Sequence, residues 1–276
     1  VFYLPIFVNT NFKIIPEVAS LMKRIDLNAD AGESFGAYKI GNDEALFPLI
    51  SSVNIACGFH GGDFSVMRRS VLLAKEHGVS IGAHPGYPDV QGFGIWEIAL
   101  SPDEIYDSLI YQIGALQAFC HVEGVELSHV KPHGALYNRA TKDREVADAI
   151  ANAVKDLLPS GILYGLSGGE LIEAGQAAGI HVAREAFADR GYQMDGTLMP
   201  RNEHCAVLRD SSVVLNQVKQ IILEGHVKTV SGEQVPMEAD TICFHGDGAG
   251  VVELLGAVRN LLTREGIAVQ KLVPTI

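Results

Sequence analysis

The sequence lacks the paired cysteines, the long apolar runs and the excess of basic residues that would indicate a disulfide-rich, membrane-spanning or nucleic-acid-binding protein. Its four cysteines are widely spaced and form no CxxC pair, which favours reduced thiols over a disulfide framework or a zinc site. No apolar run reaches the roughly 18 residues of a membrane span. Basic residues number 21 against 33 acidic ones, and the net charge of −12 argues against a nucleic acid or an anionic membrane as partner. We therefore expect a cytoplasmic protein.

The N-terminal 21 residues precede the first regular pattern of the chain. The opening VFYLPIFV is apolar, but it is short, contains Pro5 and has no basic region before it, so it is a poor signal peptide. Met22 stands just before the first clear strand. We interpret residues 1–21 as an N-terminal extension, whose native origin is left open, and residues 22–276 as one domain.

Short β-branched runs alternate with amphipathic helical segments from residue 25 onward. Predicted strands lie at 24–30, 51–57, 79–84, 128–131, 162–165, 180–185, 241–245 and 267–269. This alternation predicts parallel strands with right-handed crossovers, either in a closed, single-domain α/β (β/α) barrel or in a doubly wound sheet. Polar residues end nearly every strand, and a barrel draws its site from many strand ends, so the pattern favours a barrel. A small hairpin is predicted at 229–235.

The first two strands carry polar side chains that should point into the barrel. Period-2 alternation places Asp26, Asn28 and Asp30 on one face of the first strand. Buried carboxylates there are costly unless they bind something, although a turn-capping role for Asp30 is the simpler alternative. The second strand runs from Asn54 into His60, whose neighbouring glycines would let the backbone approach a ligand closely.

The third and fourth strands end in histidine and lysine. His84 closes the third strand, and Lys131 and His133 follow the fourth. Lysine is almost never fully buried without a partner, so Lys131 should either pair with a first-strand carboxylate or hold an anionic substrate. Pro132 rules out a helical pair of metal ligands from His129 and His133.

Acids, a histidine and an arginine follow the last two major strands. The sixth strand runs into Glu185, Asp189 and Arg190, and the seventh runs into His245 and Asp247. The glycines after His245 suit an anion-binding turn, although a tight turn needs the same glycines. Four of the ten histidines come just after predicted strands, which indicates one shared polar site.

One short segment around Ser167 matches the G-x-S-x-G pattern of a nucleophile elbow, between a strand and a helix as that motif requires. Asp189 and His245 follow it in the order of a hydrolase triad. Such a pattern arises easily by chance in a glycine-rich chain, and a serine hydrolase would leave Asp30 and Lys131 unexplained. We therefore favour a carboxylate–histidine–lysine site.

Six motifs occur in series between residues 25 and 269: IDLNADAGESFG, NIACGFHGGD, GAHPGYPD, VKPHGALYN, EAFADRGY and ICFHGD. Together they resemble the LamB/YcsF family of 5-oxoprolinase components. The resemblance implies a seven-stranded barrel of the glycoside hydrolase/deacetylase type. It also implies a part in the ATP-dependent hydrolysis of the lactam C–N bond of 5-oxoproline (pyroglutamate) to L-glutamate, with two other subunits. The chain has no G-x-x-x-x-G-K-[ST] phosphate loop, so we expect a partner to bind the ATP.

The resemblance and the strand-end pattern together give the candidate residues. The expected catalytic residues are Asp30, His60, Lys131 and His133, with Asp30 as base, a histidine as acid and Lys131 as stabiliser of the oxyanion. The expected substrate-binding residues are Asn28, Asn54, His84, Glu185, Asp189, Arg190, His245 and Asp247. Either Lys131 or Arg190 is expected to hold the substrate carboxylate.

Related barrel deacetylases suggest a divalent metal, for which Asp30, His60 and His84 are the natural ligands. The H-x-x-x-H pairing typical of those enzymes is absent after the second strand, so the metal stays open. Two other functions also stay open: a metal-dependent carbohydrate or amide deacetylase, and a non-catalytic substrate-binding subunit. The chain departs from the family pattern at Ile95 and Trp96, which replace a basic pair.

We expect a chain that lacks residues 1–21 to fold as the full chain does, because the strand pattern begins after Met22. Thermal unfolding of the two chains checks this expectation. A fall in Tm of more than a few degrees would show that the segment packs on the domain.

Overall fold

The strands lie where the alternating pattern predicts them. The structure is a computed structural model that describes residues 23–248 and 250–274, so the 1–21 extension lies outside the described residues. The strands are β1 (Arg24–Ala31), β2 (Ser52–Ala56), β3 (Ser80–His84), β4 (Leu127–Val130), β5 (Ile162–Leu166), β6 (His181–Phe187), β7 (His226–Lys228), β8 (Gln234–Pro236), β9 (Thr241–Phe244) and β10 (Ala268–Val269). The predicted hairpin is present as the antiparallel pair of β7 and β8.

Seven of the described strands close into a barrel. Each strand from β1 to β5 pairs in parallel with the next, β6 pairs with β9, and β9 pairs back with β1. This closure confirms the predicted seven-stranded (β/α) barrel and excludes a doubly wound sheet, which keeps two open edges. The short β10 pairs in parallel with the first residues of β1, where Arg24 lies opposite Ala268.

Helices follow most of the barrel strands, and local signals fix several of their ends. Among the described residues they are α1 (Asp43–Leu46), α2 (Phe64–His77), α3 (Pro102–Glu123), α4 (Gly134–Ala140), α5 (Arg144–Leu157), α6 (Glu170–Ala178), α7 (Ser211–Lys219) and α8 (Val251–Arg264). The Asp63 side chain caps α2 by accepting hydrogen bonds from two backbone amides. Ser101 and Glu104 form a reciprocal capping box at the start of α3. In the described part of the chain, none of these helices has the length and apolar character that a bilayer crossing requires.

The interior of the barrel is polar. Asp26, Asn28 and Asp30 alternate along β1 and are all buried, whereas Leu27 and Ala29 point the other way. Most parallel barrels fill this space with branched apolar side chains. The predicted polar face of the first strand is therefore present, and each of its members needs hydrogen-bond partners.

Asp26 lies at the amino end of this polar column, among hydroxyl groups. Its carboxylate accepts hydrogen bonds from Ser51 at 2.6 Å, Ser52 at 2.7 Å, Thr241 at 2.6 Å and Tyr164 at 3.2 Å. Burial raises the pKa of Asp26, and these hydroxyl donors counteract the rise. The bonds tie β1 to its neighbours and to β5 across the barrel, which gives Asp26 a structural role.

Gly82 on β3 leaves the space that the His129 ring fills inside the barrel. A Cβ atom at Gly82 would lie 2.1 Å from Nε2 of His129, which itself bonds Asn54 at 2.9 Å. We expect Gly82→Ala to lower the free energy of unfolding by about 1–3 kcal/mol, because His129 or the strand must shift.

Gly114→Ala in α3 is the matched control, since the added methyl group would meet no atom of the described residues within 4 Å apart from its chain neighbours and the backbone of its own helix. It should stabilise the protein by about 0.5–1 kcal/mol. Urea unfolding measures both variants. A Gly82→Ala protein as stable as the unsubstituted one would contradict the tight packing around His129.

Candidate active site

Lys131 lies buried at the centre of the barrel mouth, between two carboxylates. Its ammonium donates to Asp30 at 2.9 Å, and it lies 3.0 Å from Glu185 Oε1 and 2.8 Å from the Cys243 sulfur. Burial would lower the pKa of Lys131, but Asp30, Cys243 and Glu185 outweigh it and raise the pKa well above its ordinary value. Burial would likewise raise the pKa of Asp30, but His84 and Lys131 hold it well below its usual range. The site therefore holds a fixed ion pair.

Two asparagines complete the bonding of these charged groups. Asn54 Nδ2 donates to Asn28 Oδ1 at 2.7 Å and to Asp30 Oδ1 at 2.8 Å. Asn28 Nδ2 donates to Glu185 Oε1 at 2.9 Å. Both asparagines are expected from the sequence to bind substrate. In the structure they bind the carboxylates that hold Lys131.

Three histidines and Glu33 form a second buried group beside Asp30, the Glu33–histidine cluster. His60 Nε2 lies 3.3 Å from Glu33, and His133 Nδ1 lies 2.9 Å from His84 Nε2. The rings of His60 and His133 stack with their centroids 3.6 Å apart. One ligand atom from each of the four residues lies within 4.8 Å of the others. His84 Nε2 is also 3.4 Å from Asp30 Oδ2, which joins the cluster to the ion pair.

Backbone carbonyls fix the tautomers of two of these histidines. His84 Nδ1 donates to the carbonyl of Lys131 at 2.7 Å, and His133 Nε2 donates to the carbonyl of Phe93 at 2.8 Å. Because a carbonyl can only accept, His84 Nε2 and His133 Nδ1 both carry lone pairs when the rings are neutral. These two nitrogens face each other 2.9 Å apart. Two facing lone pairs repel each other, and either a proton on one ring or a metal ion bound by both nitrogens would remove this repulsion.

The charge states of the cluster also suit a cation. Burial lowers the pKa values of His60 and His133 well below their ordinary value, and the neighbouring histidines add to the effect. Burial raises the pKa of Glu33 well above its usual range, and nearby carboxylates add to that. Divalent metals such as Zn²⁺ bind neutral imidazoles and carboxylates, and a metal ion at this site would displace the proton that the raised pKa favours on Glu33. The residues present therefore fit a divalent metal ion.

The grouping differs from the ligand set expected from the sequence. That set is Asp30, His60 and His84, whereas the structure groups the two histidines with Glu33 and His133. Asp30 instead forms the ion pair at the centre of the site. Glu33 is missing from the sequence-based set because it lies beyond the end of β1, where strand alternation no longer specifies the direction of a side chain. The sequence feature that could have indicated Glu33 is its position in the AGES segment, directly after two small residues at the end of the strand.

The remaining predicted residues line the other side of the mouth. His245 Nδ1 lies 2.9 Å from Asp189 Oδ1, and the backbone amide of His245 donates to the same carboxylate. Arg190 is buried, and its guanidinium donates to backbone carbonyls in the 199–206 segment. Burial lowers the pKa of Arg190 to about 10. Asp247 is exposed at the rim. Arg190 thus holds a loop against the barrel.

A cavity of about 40 Å³ opens among these side chains. Its lining includes Lys131 and His133, and also Tyr137 and Arg201, which the sequence-based set lacks. The Tyr137 hydroxyl and Glu185 Oε2 are buried without a hydrogen-bond partner among the described residues. Burial and the nearby Glu185 raise the pKa of Tyr137 well above its ordinary value. The two side chains lie close enough to interact with each other, and a bound ligand could supply the hydrogen bond that either atom lacks. Tyr137 belongs to the VKPHGALYN motif, whereas Arg201 lies in an irregular stretch that gives no periodic signal.

A closed parallel barrel with one buried acid–histidine–lysine site defines a class of (β/α)-barrel protein whose site is built from strand ends. Within that class, the chain belongs to the LamB/YcsF family, whose sequence model matches residues 25–276. This membership confirms the resemblance drawn from the six motifs.

Individual relatives agree with this family and fold. The A component of 5-oxoprolinase from Geobacillus thermodenitrificans is 54% identical over 249 residues, which are 90% of this chain and 97% of the relative. The A component of 5-oxoprolinase from Bacillus subtilis is 51% identical over 248 residues, which are 90% of this chain and 96% of the relative. The crystal structure of a lactam utilization protein from Thermus thermophilus superposes with a TM-score of 0.85 at 47% identity, covering 90% of this chain and 100% of that one.

We expect Ser167→Ala to leave activity nearly unchanged. Ser167 lies on the turn between β5 and α6, outside the residues that line the cavity. Turnover and labelling by a fluorophosphonate check this expectation. Labelling of Ser167, together with loss of turnover in the variant, would identify a serine hydrolase and overturn the carboxylate–histidine–lysine site.

Proposed function

We propose that this chain is the A component of an ATP-dependent 5-oxoprolinase, which hydrolyses the lactam C–N bond of 5-oxoproline to give L-glutamate. Relatives more than half identical to the chain carry the name of this 5-oxoprolinase component, and a similar structure is that of a lactam utilization protein. The observation that carries the chemistry is the buried Lys131 ammonium, which lies between Asp30 and Glu185 at the mouth of the barrel.

The proposed reaction needs three things from the site. A lactam is stabilised by resonance, so its hydrolysis requires an activated nucleophile, a stabilised oxyanion and a proton for the departing nitrogen. We assign the oxyanion to Lys131 Nζ, because a fixed positive charge acts strongly where water is excluded. We assign proton transfer to Asp30 Oδ2, the oxygen that does not bond Lys131. Asp30 Oδ2 takes a proton from the water that attacks the carbonyl carbon and passes it to the nitrogen as the C–N bond breaks. The depressed pKa of Asp30 makes it a weak base for the first transfer and a ready donor in the second.

The Glu33–histidine cluster is the proposed holder of a divalent metal ion. Its ligands would be Glu33, His60, His84 and His133, and the ion would supply Lewis-acid chemistry at the lactam carbonyl. The low pKa values of His60 and His133 keep their rings neutral, which suits ligand binding better than proton donation. This proposal therefore replaces the acid role expected for these histidines from the sequence.

Substrate binding is assigned to the outer part of the site. The guanidinium of Arg190 is occupied by backbone carbonyls, so we propose that Arg201 and the Tyr137 hydroxyl receive the substrate carboxylate. A cavity of about 40 Å³ holds one or two water molecules. Ile95 and Leu198 line both this cavity and an outer pocket of about 480 Å³, so they must separate to admit a lactam.

The proposed complex includes two partner chains that bind ATP and supply its energy to the reaction. The relatives are named as one subunit of 5-oxoprolinase, which supports an assembly. We propose that the reaction requires ATP, and that the chain works with its two partners in the cytoplasm.

An assay of 5-oxoproline conversion by this chain tests the proposal, alone and with the partner chains, each with and without ATP. We expect glutamate only with ATP and the partners. The Glu33–histidine cluster favours one other function, a metal-dependent deacetylase. Deacetylation that a chelator abolishes and ATP does not affect would identify it. Turnover that survives substitution of the site would instead identify a non-catalytic substrate-binding subunit.

We expect Lys131→Met to abolish turnover in the assembled complex, because Lys131 is the one cation among the described residues that contacts both Asp30 and Glu185, whereas His84 contacts Asp30 alone. Asp30→Asn should lower kcat by orders of magnitude while substrate binding largely survives, because the lost role is proton transfer. Single-turnover kinetics and substrate binding by calorimetry measure the two effects separately.

The double variant Lys131→Met, Asp30→Asn separates lost chemistry from lost folding. Lys131→Met alone leaves two buried carboxylates without their cation, so its Tm should fall. Removing the charge of Asp30 as well should recover part of that Tm without recovering turnover. Near-normal rates in both single variants would show that the ion pair is only structural.

A further inference from the structure

The 89–96 loop after β3 lies directly over the stacked rings of His60 and His133. A Cβ atom at Gly94 would lie 2.6 Å from the ring of His133 and 2.8 Å from Cβ of His60. The loop also bonds the start of α4, directly after His133, because the amide of Ala135 donates to the carbonyl of Gly94 at 2.9 Å. The loop is therefore in direct contact with the Glu33–histidine cluster.

The carboxylate of Asp89 holds this loop from within. It accepts hydrogen bonds from the backbone amides of Gly92 at 2.7 Å and Trp96 at 3.3 Å, and the Asp89 backbone carbonyl accepts from the amide of Gly94 at 2.9 Å. Asp89 is only 7% exposed. None of the hydrogen bonds among the described residues joins it to a nitrogen of the Glu33–histidine cluster. Its hydrogen bonds instead fix the shape of the loop.

That shape includes a strained residue at the point of contact with His133. Phe93 has a φ of 55°, in the left-handed region that bulky residues avoid. Such a conformation costs on the order of 1–3 kcal/mol and persists only where the surroundings hold it. This backbone conformation points the Phe93 carbonyl towards His133, and the carbonyl accepts the hydrogen bond from His133 Nε2 at 2.8 Å.

The direction of this carbonyl decides which nitrogen of His133 is free to bind a cation. With the proton on Nε2, the Nδ1 lone pair points at His84 Nε2 and lies 4.0 Å from Glu33. In the other tautomer Nδ1 would carry the proton and His133 would be lost as a ligand. Loss of a group that hydrogen-bonds a metal ligand, without itself binding the metal, typically lowers metal affinity or activity by about 10–100-fold.

We propose that Asp89 is a positioning residue, which acts through the Phe93 carbonyl to fix the tautomer of His133 and thereby the affinity of the Glu33–histidine cluster for a divalent cation. This inference rests on the proposed function only in taking the cluster as a cation site. Neither of its readouts uses lactam turnover. A chain that shows both readouts but does not convert 5-oxoproline would count against the proposed function alone.

The test compares Asp89→Ala with the unsubstituted chain. Two-dimensional NMR of histidine nitrogens should show His133 protonated at Nε2 in the unsubstituted chain and a mixture of tautomers in the variant. Competition with a chelator should show Zn²⁺ affinity lowered by about 10–100-fold. If Asp89→Ala does not fold, Asp89→Asn takes its place, since its amide oxygen keeps one of the two acceptors and should give a smaller shift in the same direction.

A further variant serves as the control. Asp210→Ala removes a similar cap, in which the carboxylate accepts from the amides of Ser212 and Val213 at the start of α7, and should leave the Zn²⁺ affinity unchanged. The inference is overturned if Asp89→Ala lowers Tm while His133 keeps its tautomer and Zn²⁺ affinity is unchanged.

Discussion

The ammonium of Lys131 is the charge on which the rest of the barrel interior depends. An unpaired ammonium at this depth would be very costly, and so would Asp30 and Glu185 without it. The amides of Asn28 and Asn54 then hold the two carboxylates in place. These five side chains come from β1, β2 and β6 and from the residue after β4. Their mutual satisfaction requires those strands to keep one register, so the same bonds specify the closed barrel and the site.

The loops at the mouth add what the strands cannot provide. Strand ends deliver His84 and Lys131, but the orientation of each imidazole ring comes from backbone carbonyls, those of Lys131 for His84 and of Phe93 for His133. A carbonyl cannot exchange its role from acceptor to donor, so it specifies a tautomer more firmly than a hydroxyl would. The barrel therefore sets distances between the ligands, and the connecting segments set which of their nitrogens can bind.

The sequence was sufficient for the parts of the site that obey periodic rules. Alternation along β1 and the shared edge of parallel strands correctly brought Asp30 and Lys131 together. Glu33 could not be found in this way, because it follows the strand and its direction depends on the turn. The charge of Arg190 suggested a ligand, but its guanidinium is taken by the 199–206 segment, whose path no periodicity specifies. Burial likewise gave the histidines pKa values that residue types alone cannot supply.

The polar column through the barrel also has a consequence for how the chain folds. From Asp26 at the amino end to Lys131 at the mouth, its groups are bonded across several strands that are distant in the sequence. A collapsed barrel with some strands missing would bury carboxylates and amides away from water and without their hydrogen-bond partners, which costs free energy. An apolar core would instead be stabilised by partial collapse. Intermediates with some strands missing are therefore penalised. Assembly of the barrel should be all-or-none, with late closure of β9 against β1 and little population of compact, loosely packed states.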